Sequence, residues 1–404
     1  MGPTTRNVGK ARAGPLFVCV WLALAGCSEE PGTPPRKAFG SPSDSSESSA
    51  STGPSPSAGL PRLPSGPSSR LRLELIEEIS GYISPKSIVA SQDGLFFAQN
   101  MMYKHTISVY DREFQLLKTI PDEVELSDFG YANYTGVQQG APVEAAFAPD
   151  GDFAYVSQYS MYGPGFANPG TDSCTPSSAI DDSFVYRVRL DTLSVDRVIA
   201  VGRVPKYVAV SPDNRYVLVT NWCSYDLSVI DVEKQKEIER IPLGEYPRGI
   251  AVDASSETAY IALFGGTDIA KVDLSTFGVE WIRGVGLAPR HINIDPDDRY
   301  LYATLNNEGT VAKIDLETDE VVEKVETGNE PRSMAISADG KSLYVVNYES
   351  STLAKVRTSD MTVVQTVPTS YHPIGITHDG PSGQVWVACY GGTIMVFQDG
   401  VPTD

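Results

Sequence analysis

The chain has 404 residues and is 41% hydrophobic, with 32 basic against 51 acidic residues and a formal net charge of −19. Acidity on this scale argues against wholesale binding to nucleic acid or anionic lipid, and for a self-repelling, soluble surface. There is no Gly-rich phosphate loop, nucleophile elbow or HExxH helix. The four histidines show no metal-ligand spacing, and a metal bridging His291 and His372 is the weakest option, so neither metal nor cofactor is expected.

Residues 1–26 read as an address. Arg6, Lys10 and Arg12 form a basic start, and the apolar stretch Leu16–Ala25 is too short to span a bilayer comfortably. It ends Leu24-Ala25-Gly26-Cys27, which resembles the lipobox of bacterial lipoproteins. The resemblance implies that Cys27 is lipidated and begins the mature chain. With Ser28 following it, the implied site is the outer membrane, on its periplasmic or cell-surface side. Losing three basic residues leaves a mature charge of −22. Residues 27–70 are rich in Ser, Pro and Gly, cannot bury enough apolar surface to fold, and read as a flexible tether with a reach of roughly 35–40 Å.

From residue 71 onward one text repeats. Pro205-Lys206, Pro247-Arg248, Pro289-Arg290, Pro331-Arg332 and Pro373-Ile374 stand 42 residues apart, and Pro85 and Pro142 extend the register to seven units. Each holds four short apolar runs, such as Tyr207–Val210, Tyr216–Thr220, Leu227–Ile230 and Ile238–Ile241. Four strands in about 40 residues is the arithmetic of a β-propeller blade. The seventh unit has only three strands, and Leu71–Ile79 copies the missing outer one. The expectation over 71–404 is an all-β, seven-bladed propeller, closed by an N-terminal strand that completes the last blade.

Two units are oversized, at 57 and 63 residues, with surplus in Pro121–Ala141 and Tyr159–Asp182. Both insertions leave the same face as the Pro-basic openings, and both are rich in aromatics. They read as a functional roof or as a protective cap. Cys174 in the second insertion and Cys223 in the equivalent loop of the third unit predict a disulfide, with Cys389 left as a buried thiol.

The same face gathers the candidate binding residues. Lys86, Lys206, Arg248, Arg290 and Arg332 follow opening prolines, and Trp222, Asn306, Tyr348 and Tyr390 end second strands. Five cations there need either acidic neighbours, for which Glu144, Glu245, Glu308, Glu330 and Glu349 are placed, or an anionic ligand.

Tyr216-Val217-Leu218-Val219-Thr220-Asn221 and Tyr344-Val345-Val346-Asn347-Tyr348 resemble the YVTN-type propeller repeat of bacterial secreted and surface proteins. That family spans binding proteins and redox-enzyme subunits. Pro289-Arg290-His291 and Tyr300-Leu301-Tyr302 are also similar to lactonase-type propellers, although Leu305-Asn306 stands where their Asn-Glu belongs. This second resemblance implies Arg290 and His291 as electrophile and general acid or base. The expectation is a monomeric recognition module, anchored to the membrane by lipid alone, for an anionic or sugar-like ligand or an envelope protein partner. A lactonase, or a lyase or hydrolase of envelope substrates, is the alternative, and an architectural role the third.

Overall fold

The structure, a computed structural model, describes residues 66–402. The predicted signal peptide, Cys27 and the tether up to residue 65 lie outside them. Contacts divide the chain after Ala58, and the described residues all belong to the second unit.

Seven four-stranded antiparallel sheets form the blades, and the helical content of the described residues is two short 3-10 turns, Ser68–Arg70 and Leu126–Phe129. The inner strands are Ser87–Ala90, Pro142–Phe147, Pro205–Val210, Pro247–Val252, Pro289–Ile294, Pro331–Ile336 and Pro373–Asp379. Each packs against the next, and the last meets the first, so the ring is closed. Six of the predicted prolines begin these strands, while Pro85 stands two residues ahead of the first.

The core is divided among the blade interfaces. Leu218 and Leu227 of the third blade pack on Ile250 and Ile261 of the fourth. Tyr260 and Ala262 pack on Ile292 and Leu301 of the fifth. The same arrangement runs through the fifth-to-sixth, sixth-to-seventh, seventh-to-first, first-to-second and second-to-third interfaces. Both faces of a second strand are therefore covered, and Tyr216–Asn221 is buried throughout. This is why those runs are continuously apolar instead of alternating. The outermost strands, such as Glu320–Glu326, are mostly exposed and charged, which protects their free edges.

Closure follows the expected plan: Leu71–Ser80 pairs with Thr393–Pro402 as the outer strand of the seventh blade. A buried lysine clasps it. Lys355 of the sixth blade donates to the carbonyls of Ser68 and Leu71 at 2.7 and 2.9 Å and to Asp399 at 2.5 Å, and Asp399 also accepts from the Tyr344 hydroxyl. Across the seam, Phe96 stacks on Trp386 at 4.0 Å and Arg112 pairs with Asp379 at 2.7 Å.

Lys355→Met would strand Asp399 as a buried charge and release two carbonyls. Removing one partner of a buried pair typically costs about 3–5 kcal/mol. Denaturant unfolding should show a loss of that order, with part recovered by adding Asp399→Leu. An unchanged midpoint in the single variant would show that the clasp contributes nothing to closure.

Candidate functional site

The mouth of the ring is built by a local irregularity repeated in six blades. Each inner strand from the second blade to the seventh begins with a break in register directly after its proline. Such bulges re-aim side chains that strict alternation would send to opposite faces. The first residue after each proline then contributes to an upper ring: Lys86, Val143, Lys206, Arg248, Arg290, Arg332 and Ile374. The second contributes to a ring below it: Ser87, Glu144, Tyr207, Gly249, His291, Ser333 and Gly375. Six of these seven lower residues line a cavity of ≈220 Å³ along the channel. Gly249 is the seventh, and a Cβ there would lie 2.9 Å from the Arg290 carbonyl oxygen and 3.0 Å from the His291 Cα. Only a glycine lets these two strands approach so closely.

The rim is pinned by residues in the left-handed region just before the prolines. Val204, Tyr246, Ala288, Glu330 and His372 have φ between 52° and 57°. Their carbonyls accept from the amides of Trp222, Phe264, Asn306, Tyr348 and Tyr390 at 2.9–3.1 Å. Left-handed backbone in a β-branched residue such as Val204 is rare and concentrates where the surrounding structure fixes it.

The cations are treated unequally. Lys206 Nζ bonds Asp172 Oδ1 at 2.5 Å and lies 4.5 and 4.9 Å from the rings of Tyr159 and Trp222. Arg332 pairs with Glu330 at 2.6 Å and lies 3.5 Å over the Tyr348 ring. Arg248 and Arg290 instead donate to backbone carbonyls of neighbouring blades, those of Lys206 and Arg332. Lys86 rests 5.4 Å from the Tyr390 ring. Among the described residues, no carboxylate forms an ion pair with Lys86, Arg248 or Arg290.

The electrostatics follow from this crowding. Burial, then the charges of Lys206, Arg290 and Arg248, pull Lys86 well below the usual lysine range. Burial and the Arg248 and Arg332 charges pull Arg290 down as well. Lys206 falls to about 8, since burial outweighs the help of Asp172. Burial also works against ionisation of Asp172, but the Lys206 charge and hydrogen bond overcome it and hold that carboxyl at about 2. In the lower ring burial lifts Glu144 to about 7 against the pull of Arg248. His291 is pushed to about 3 by burial and by Arg248 and Arg290, so it is neutral at physiological pH.

The insertions do form a roof. The first makes a small ribbon, Glu123–Val124 with Gln138–Gln139, and bridges to the second through Gln139 and Tyr162. Phe129, Tyr131, Tyr134 and Phe166 pack into a local core on Phe184 and Tyr186. The second insertion carries Asp172 over the mouth, held by the predicted Cys174–Cys223 disulfide, with Cα atoms 5.5 Å apart. The Cys174 carbonyl accepts from the hydroxyls of Tyr225 and Tyr246, each at 2.9 Å. Cys389 is buried, and burial raises its thiol to about 12.

The structure brings Lys86, Lys206, Arg248, Arg290, Arg332, Tyr348 and Tyr390 to one rim. Trp222 is absorbed beneath the roof, where its Nε1 donates to the Asp172 carbonyl at 3.0 Å and its ring stacks on Tyr246. Asn306 is buried to the side and bonds Asn307 at 3.1 Å. Glu144 differs from expectation, standing on an inner strand inside the channel and not in a surface loop. His291 and His372 are not together: His291 Nδ1 meets Ser333 Oγ at 3.3 Å in the channel, whereas His372 stacks between Tyr348 and Tyr371 on the outer rim. Asp172 and Tyr207 were missed because nothing in the repeat marks them. From the second blade to the seventh, the second residue after the proline joins the lower ring only because of the register break, which the sequence does not show.

The family model for the cytochrome D1 haem domain matches residues 287–385. No curated protein sequence matches the chain. Among solved structures it is similar to "Kuenenia stuttgartiensis Hydrazine Synthase", at 17% identity and a TM-score of 0.62, over 80% of this chain and 97% of that one. These likenesses support the fold, a seven-bladed all-β propeller.

One roof contact is pH-sensitive. Asp122 Oδ1 accepts from Gln158 Nε2 at 3.0 Å, while Asp122 Oδ2 and Gln158 Oε1 are buried on one side of Gly140 without partners among the described residues. Burial raises this carboxyl to about 8, opposed by Gln158. The folded protein thus holds a proton that the unfolded chain releases near pH 4. The associated stability is present below about 4 and is lost as pH rises toward 8. Asp122→Asn should flatten the fall in melting temperature between pH 5 and 8. A slope identical to wild type would show that Asp122 is ionised throughout.

Proposed function

We propose that the protein is a recognition module that binds a small anion at the roofed mouth of its channel, displayed from a lipid anchor at Cys27 on the outer membrane. The observation that carries this reading is the set Lys86, Arg248 and Arg290: three basic side chains crowded together that form no ion pair among the described residues, in a protein of net charge −19. Uncompensated charge of one sign in a confined site is costly unless a ligand of opposite sign visits it. The YVTN-type repeat text and the Cys27 lipobox support a place among envelope propellers.

Catalysis by Arg290 and His291 is the weaker reading. Arg290 turns to the Arg332 carbonyl, and among the described residues the His291 ring meets the Ser333 hydroxyl and no carboxylate. Nor do the channel residues suit a haem. The ≈220 Å³ cavity is below the ~300–1,000 Å³ of ordinary small-molecule sites, and its central histidine is already engaged on one side. Among the described residues no group of three His, Cys, Asp or Glu could hold a metal.

Citrate is a suitable first probe by calorimetry with the full-length protein. Arg248→Ala and Arg290→Ala should each weaken citrate by about tenfold or more, ~1.4 kcal/mol, without lowering the melting temperature. Equal affinity in the variants, or their unfolding, would make the ring structural. Affinity should also fall as pH rises from 6 to 9, because Glu144 gains charge near 7 and Lys206 loses it near 8. Glu144→Gln should remove the lower part of that dependence. For the anchor, Cys27→Ala should move the protein from the membrane to the soluble fraction.

A further inference from the structure

The exposed aromatic side chains are distributed in a way that the anion reading does not use. Among the described residues the large exposed aromatics are five tyrosines: Tyr82, Tyr103 and Tyr371 at 64–84% exposure, and Tyr162 and Tyr390 at 38 and 37%. Single exposed aromatics need no explanation, but these five share one face. Every one lies in a connection between second and third strands, or between an outer strand and the next blade. Both kinds of connection open at the mouth. The opposite face carries hairpins with Asp93, Asp150, Asp213, Asp253 and Asp298.

Four of the five tyrosines also share an arc. Tyr371, Tyr390, Tyr82 and Tyr103 belong to the sixth, seventh and first blades, whereas the Asp172 segment lies over the second and third. This arc runs into the cation ring. Tyr371 stacks on His372 at 3.6 Å, His372 on Tyr348 at 3.9 Å, and the Arg332 guanidinium lies 3.5 Å over Tyr348. Tyr390 faces Lys86. Lys104 caps the Tyr82 ring at 3.0 Å.

We infer that the uncovered arc takes an acidic oligosaccharide, a short chain of uronic-acid units, with one carboxylate in the cation ring and further sugar rings laid across the tyrosines. This rests on the anion reading of the mouth and extends it. A pyranose presents a C–H face that suits a tyrosine ring, and its hydroxyls suit phenols and the exposed side of Asp172, which is 75% solvent-accessible. An acidic peptide would need backbone partners. The free strand edges lie at the outer rim of the ring, away from the mouth. A nucleic acid would meet the net negative charge along its whole length.

The test is calorimetry with the full-length protein at pH 6, comparing citrate, galacturonate, tri-galacturonate, maltotriose and tri-glutamate. Tri-galacturonate should bind about tenfold more tightly than galacturonate, and maltotriose should not bind. Tyr371→Ala and Tyr103→Ala, both at exposed positions, should bring the trimer down to the affinity of the monomer and leave citrate unchanged. If citrate binds but tri-galacturonate gains nothing over galacturonate, the saccharide inference falls and the anion site stands. Tri-glutamate binding as tightly as tri-galacturonate would overturn the inference in favour of an acidic peptide. If no anion binds, both readings fall together.

Discussion

No blade of this protein can bury its own faces, and that constraint shapes the rest. Each apolar strand finds its cover on the neighbouring blade, as Leu218 does on Ile261 and Tyr260 on Leu301. Seven such interfaces must close on one another, so the inner strands are drawn close around an axis, and Gly249 marks how tightly. Whatever follows the opening prolines is then forced into a shared, narrow space. A feature that is innocuous in one repeat, a basic residue after proline, becomes a concentrated charge when the repeats close into a ring. Closure itself rests on a polar device, the buried Lys355 that gathers the incoming strand and Asp399 at once.

The charge of the whole chain and the charge of the mouth have opposite signs. The acidic surplus lies on the outer strands and on the far hairpins, where solvent and salt screen it. At the mouth the screening is poor, and the protein supplies only partial compensation. Asp172 from the roof answers Lys206, and Glu330 answers Arg332. A backbone carbonyl accepts one hydrogen bond from each of Arg248 and Arg290 but brings no counter-charge. Glu144 is the nearest thing to a counter-charge in the channel, and burial raises its carboxyl to about 7, so that it is only about half ionised at neutral pH. A site with this balance is suited to gain and release an anion, not to hold a permanent internal salt bridge.

Most of the fold was readable because the repeat constrains it. The 42-residue spacing of Pro247, Pro289 and Pro331 determined where strands begin, and the copy of an outer strand at Leu71–Ile79 revealed the closure. The Cys174–Cys223 pairing followed from placing two loops side by side. What the repeat could not show lies where the structure departs from it. The bulge after six of the seven prolines has no residue signature, so the lower ring with Glu144 and His291 is not legible as a layer. Asp172 sits in an insertion whose path depends on packing of Phe166 and Tyr134 against the second blade. Trp222 looked like a binding aromatic because its position matches Tyr348 and Tyr390, but the insertion, absent from those blades, covers it.

The central claim is that the mouth holds positive charge that the protein itself leaves unanswered. The most direct measurement is an anomalous difference map from crystals soaked in bromide. An ordered bromide within hydrogen-bonding distance of Lys86, Arg248 or Arg290 is the predicted result. A mouth without bromide, in which those three side chains pair with carboxylates of the same chain, would contradict it.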